Sequence, residues 1–242
     1  MGITLITDTV ATNATGWLAA APSGLEYANF FSGSTVMSRN LADGKPGASV
    51  IGAPTQGTEY IQTVGLTSYI QTAAVPTNEF TMLAVAAPID DAQNLITGVI
   101  SNYSGAAASA QSLQYSPQTL GDGLLNMRLQ TMVYNGSSYT ADVLSTTNSA
   151  ALNVPEAFSG RMTTGLVKTL NRLTDGLLAT ATQAASYTVD VARPLRIGST
   201  YQSVLGCRVY AAFIWSRALT DPELAAMYAQ VKGYYAARSI TI

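Results

Sequence analysis

The sequence predicts an all-β, antiparallel two-sheet jelly-roll sandwich with a short C-terminal helix, in a chain of 242 residues. Three observations predict it. Short runs rich in β-branched and aromatic residues alternate with Gly, Pro, Asn and Asp breaks along most of the chain. Two of the breaks, Asn135-Gly136 and Thr174-Asp175-Gly176, are hairpin signals, because their residues tolerate the positive φ angles of a tight turn. The final stretch changes from strand alternation to helical spacing.

Taken in order, residues 1–40 carry Trp17, Tyr27, Phe30 and Phe31 in a Thr-, Ala- and Gly-rich background. They read as an N-terminal arm or first strands that could serve as an assembly contact, with 41–242 as the jelly-roll domain. After the turn cluster Asp43-Gly44-Lys45-Pro46-Gly47, strands are expected at Ala48–Ile51, Tyr60–Val64 and Ser68–Thr72. Phe80–Ala86 is apolar on both parities, which fits a central strand covered on each face and closed by Pro88. Val133-Tyr134 and Ser138-Tyr139 flank the first hairpin turn; Leu170–Leu173 and Leu177–Thr180 flank the second. Leu195–Gly198 is a short strand. Cys207–Trp215 is a long one that alternation gives an apolar face of Cys207, Val209, Ala211, Phe213 and Trp215. Thr220 and Glu223 have capping-box spacing around Pro222, and Leu224, Met227, Tyr228, Val231 and Tyr235 follow at helical intervals. That helix should lie against the sandwich.

Composition narrows the function. Charged residues are 11% of the chain and the formal net charge is −2, with three lysines and nine arginines scattered singly. Nucleic-acid binding needs clustered cations that release counterions, so no nucleic-acid partner is expected. The longest apolar run, Phe80–Ile89, is well short of the ~20 residues a spanning helix needs, so no membrane insertion is expected. The first residues lack a basic region followed by an apolar core, so no signal peptide is read. Cys207 is the one cysteine and sits in an apolar run, which suits a small buried hydrophobe.

The sequence contains no histidine, which removes Ser-His-Asp and Cys-His catalysis and the common zinc ligand sets. Paired carboxylates could still hydrolyse a glycoside, but Glu26, Glu59, Glu79, Glu156 and Glu223 lie far apart in the chain. No catalytic residue is assigned. Asp90 and Asp91, with Asn94, are weak candidates for a calcium loop, although such a pair is more often simply solvated. No other cofactor is expected. Sugar-binding sites set aromatic faces beside amides, so the candidates for ligand binding are Asn102 with Tyr103, Tyr134 with Asn135, Tyr139, and Tyr201. Tyrosine is equally at home in a core or interface.

Three segments resemble the concanavalin A-like lectin/glucanase superfamily, and within it the laminin-G-like jelly rolls. They are Gly47–Pro54 with Ser68-Tyr69-Ile70, Glu79–Val85, and Leu195–Gly198 through Arg208-Val209-Tyr210 to Trp215–Leu224. The Arg217-Ala218-Leu219-Thr220-Asp221-Pro222-Glu223 turn into the closing helix is the most specific of them. The resemblance implies two curved sheets with a ligand site on the concave face or the rim loops. The glucanases' Glu-x-Asp-x-Glu triplet has no counterpart here. Abundant Ala, Thr, Ser and Gly without an export signal also resembles bacteriophage virion components. The expected role is therefore a non-catalytic virion surface protein, in capsid decoration or in a tail, baseplate or fibre. Its expected partners are other virion proteins and host-cell glycans, and it would be a homo-oligomer made in the host cytoplasm. The alternatives are a glycan-binding module of a bacterial surface protein and a carbohydrate-active enzyme.

Overall fold

The computed structural model describes residues 17–33, 35–90, 95–105, 110–117, 124–134, 136–185 and 189–242. Fifteen strands and one helix appear among them: β1 (Leu25–Phe30), β2 (Ser49–Ile51), β3 (Thr55–Gln56), β4 (Ile61–Gln62), β5 (Tyr69–Gln71), β6 (Phe80–Pro88), β7 (Thr97–Ser101), β8 (Gln111–Pro117), β9 (Leu124–Tyr134), β10 (Tyr139–Ala151), β11 (Glu156–Met162), β12 (Val167–Arg172), β13 (Leu177–Thr182), β14 (Arg196–Ile197), β15 (Cys207–Trp215) and α1 (Asp221–Ala236). They form two antiparallel sheets. Sheet A runs β13-β12-β11-β6-β15-β4-β3, with β1 sharing the outer edge of β15, and sheet B runs β10-β9-β8-β7-β14-β5-β2.

Between the sheets lies a core that takes Met82, Ala84 and Ala86 from β6, Leu113 and Tyr115 from β8, Met127 and Leu129 from β9, and Phe158 from β11. The opposite face of β6, with Leu83, Val85 and Ala87, packs under α1. That double covering explains why β6 is apolar on both parities. The helix seats Leu224, Met227, Val231 and Tyr235 on sheet A, and its capping box forms: Glu223 N–H donates to the Thr220 hydroxyl while the Glu223 carboxylate accepts from Thr220 N–H at 2.8 Å.

One expectation needs correction. The five alternate residues of β15 do not share a face, because Val209 pairs with Ala86 and Ala211 with Val85, leaving Tyr210 as an extra residue. This β-bulge inverts the parity. Cys207 and Val209 therefore enter the inter-sheet core, whereas Ala211, Phe213 and Trp215 face the helix. Cys207 is fully buried, and burial pushes its thiol up to about 12, despite a hydrogen bond with Thr63 that lowers it. It is a packing residue.

Two glycines set the backbone that carries the candidate site. Gly198 ends β14 at φ +74°, where a Cβ would lie 2.3 Å from the Thr63 methyl. A Cβ on Gly98 would stand 2.6 Å from the Thr200 methyl, so glycine lets the segment after β14 lie directly on sheet B. Among the described residues no helix is long and apolar enough to cross a membrane.

Candidate functional site

That segment, residues 199–205, builds the rim. The Thr200 hydroxyl accepts from the N–H groups of Gln202 and Ser203 at 3.0 and 2.6 Å, a local turn that Ser and Thr favour. Tyr201 N–H then donates to the Tyr103 carbonyl at 2.7 Å, tying the segment to the end of β7. The result is an open groove of about 340 Å³ lined by Leu95, Ile96, Tyr103, Gln202, Ser203 and Val204. Its walls combine an aromatic ring, one amide and three aliphatic side chains, and no formal charge lines it among the described residues.

The sequence candidates fall into different places. Tyr103 is half-buried and faces the groove. Tyr201 supports it from behind: its ring stacks on the Arg196 guanidinium at 3.4 Å and its hydroxyl donates to the Pro194 carbonyl. Asn102 is fully buried. Its Oδ1 accepts from Gln111 N–H at 2.7 Å and its Nδ2 donates to the Arg193 carbonyl, so its amide closes the end of the sandwich. Tyr134 and Tyr139 pack ring to ring, centroids 5.0 Å apart, at the tip of the β9–β10 hairpin. Tyr139 leans on the inter-sheet core, and the Tyr134 hydroxyl donates to the Gly136 carbonyl. β7 and β9 run the same way through sheet B, so Tyr103 and the Tyr134–Tyr139 pair stand at one end of it. Asn135, Asp91 and Asn94 lie outside the described residues. Asp90 is half-buried, and no cluster of three metal-ligating side chains occurs among the described residues.

Sequence reasoning did not single out the outer face of sheet B. In β8 and β9 the apolar residues face the core, which turns Ser112, Gln114 and Ser116, and Asn126, Arg128 and Gln130, to the opposite side. The signal was the strict alternation in Gln111–Ser116 and Leu125–Gln130. Ser112 donates to Gln114 Oε1 at 2.6 Å, and Gln114 donates to Gln130 Oε1 at 3.1 Å. On the same face Arg196 is held between the rings of Tyr69 and Tyr201, its Nε donating to Gln71. Arg128 is half-buried, and desolvation holds its guanidinium below the usual arginine range.

Carboxylates are placed differently. Glu26 faces Lys45, Glu59 faces Arg238 and Glu223 faces Arg217. Glu156 is gripped by Arg172 through Nε and Nη2, and Arg172 also reaches Asp175 at 3.3 Å. The Arg172 guanidinium lies between these two acids and neutralises them.

No protein-family model matches the chain, and no curated protein matches it. Solved structures do. The chain is similar to the binding domain of Paraclostridial Mosquitocidal Protein 1, with TM-score 0.56 and 13% identity over 89% of this chain and 53% of that one. It is similar to the binding domain of Botulinum Neurotoxin DC in complex with SialylT, with TM-score 0.57 and 8% identity over 87% and 52%. It is also similar to Trypanosoma rangeli sialidase, with TM-score 0.58 and 13% identity over 85% and 32%. The chain thus spans about half the length of the two toxin structures and about a third of the sialidase. At these identities the likeness is one of fold. The chain is a lectin-like β-sandwich closed by one C-terminal helix.

Proposed function

We propose that the chain is a non-catalytic carbohydrate-binding module whose site is the rim groove and the adjoining outer face of sheet B. The observation that carries the reading is the groove itself: Tyr103, the Gln202 amide and the aliphatic Leu95, Ile96 and Val204 converge on it. A sugar offers C–H patches to the ring and aliphatic walls and hydroxyls to the amide, which is the usual division of labour in a small-ligand site. Two of the similar structures bear names that state a binding domain, and one of those was solved with SialylT. The cation partners of Glu26, Glu59, Glu156 and Glu223 argue against acid–base work. The glycan-binding alternative read from the sequence is therefore preferred. The virion setting draws no support from the similar structures, and the binding reading does not require it.

The test is a glycan array followed by titration calorimetry on the whole chain. Tyr103→Ala and Gln202→Ala should each weaken binding about tenfold, since ~1.4 kcal/mol is one decade of affinity, with unfolding midpoints unchanged within a degree or two. A blank array, or saccharide binding indifferent to both substitutions, would count decisively against this site.

A further inference from the structure

We propose that Arg128 receives the carboxylate of an acidic sugar unit, so that the module selects anionic over neutral saccharides. The inference rests on the glycan-binding reading above and adds the ligand's charge to it.

The other arginines are engaged within the fold. Arg161, Arg172, Arg193, Arg217 and Arg238 each face a carboxylate. Arg196 and Arg208 each hold a glutamine oxygen and stack on tyrosine, and Arg39 is engaged as well. Arg128 has no hydrogen bond, ion pair or ring contact with any described residue, and its Nε is buried without a partner. Leaving a buried charged donor unpaired is costly, and such a group calls for a physical account, of which a bound ligand is one.

Its surroundings say what that ligand would be. Arg128 lies on β9 with Gln114 beside it on β8 and Ser145 on β10. Both neighbours are neutral, so neither compensates the charge. A planar guanidinium offers two parallel N–H donors that match the two oxygens of a carboxylate. Asn126, two residues away on the same face, is half-buried, and its amide makes no hydrogen bond to described residues. It is placed to meet a hydroxyl of the same sugar. Strand spacing and rise put Arg128 roughly 12 Å from Ser101, where the rim begins. An oligosaccharide can therefore reach both the groove and Arg128.

The experiment is titration calorimetry of the whole chain at low salt with lactose, 3′-sialyllactose and trigalacturonate. The acidic saccharides should bind at least tenfold more tightly than lactose, and their affinity should fall as salt is raised, as a partly exposed charge pair requires. Arg128→Gln should bring them down to the lactose level. The same variant should melt no lower than the parent chain, because it removes a desolvated cation that has no internal partner. Acidic saccharides bound equally well by Arg128→Gln, or lactose bound as tightly as 3′-sialyllactose, would overturn the proposal and leave the module reading intact. Silence towards all saccharides would overturn both. Should Arg128→Gln fail to fold, the lactose comparison and the salt dependence of the parent chain decide the matter.

Discussion

Single side chains in this protein divide into those that spend their polar groups internally and those that keep them for solvent or ligand. Asn102 is of the first kind. Replacing it with Ala would strand the Gln111 N–H and the Arg193 carbonyl in a buried place, so Asn102→Ala should cost about 1–3 kcal/mol in denaturant unfolding without bearing on the groove walls. Arg172 and Glu156 are also of the first kind, each with 8% of its side chain exposed. Glu156→Ala would leave the guanidinium buried with only the partly exposed Asp175, and breaking such a pair costs ~3–5 kcal/mol. Replacing both partners by apolar residues of similar size should recover much of that loss. If the single and double variants were equally unstable, the pair's desolvation would not be the cause.

At the scale of the element, α1 carries a measurable pH signature. Glu223 accepts from Arg217 and from the Thr220 backbone, and these bonds hold its carboxyl near 2, below its ordinary value of 4.5. A depressed folded-state value means that the stabilisation is complete above about 4.5 and drains away as pH falls towards 2. Glu223→Gln should therefore flatten the acid limb of the stability profile in that window and leave the slope above pH 5 unchanged. Thr220→Ala removes the cap and should cost about 1 kcal/mol at neutral pH; thermal melts of the two variants across pH 2–7 check both statements. The β9–β10 hairpin shows how an element can be legible and its residues still misread. Gly136 takes φ +95° between the two strands, yet the flanking Tyr134 and Tyr139 pack on each other, because facing residues at a strand end interact with one another.

For the whole molecule, the central strands β6 and β15 of sheet A are covered on both faces, and α1 supplies the outer cover. Ending the chain after Leu219 would uncover Leu83, Val85, Phe213 and Trp215 as one apolar patch. Such patches drive association. The truncated protein should therefore be recovered insoluble or bind a hydrophobic dye, whereas the full chain should not; a soluble, dye-negative truncation would show that the helix is dispensable. No helix among the described residues packs on the outer face of sheet B, where Ser112, Gln114 and Gln130 are buried and Asn126 and Arg128 keep partial access to solvent.

Composition and periodicity by themselves determined the sandwich class, the central place of β6, the two hairpin turns and the closing helix with its cap, since each rests on local spacing or turn chemistry. The strands β7, β8 and β11 escaped, because Gln, Ser and Gly dominate their alternation and their pairing is settled by distant partners. Gly160, for one, sits in β11 where a Cβ would meet Leu129 Cδ1 at 2.7 Å. Only the tertiary structure decided the rest: the bulge that turned half of β15 to the other layer, the burial of Asn102, the groove beside Tyr103 and the lack of a partner for Arg128 among the described residues. Those depend on which side chains meet across sequence separations of tens to hundreds of residues, and local pattern carries no record of that.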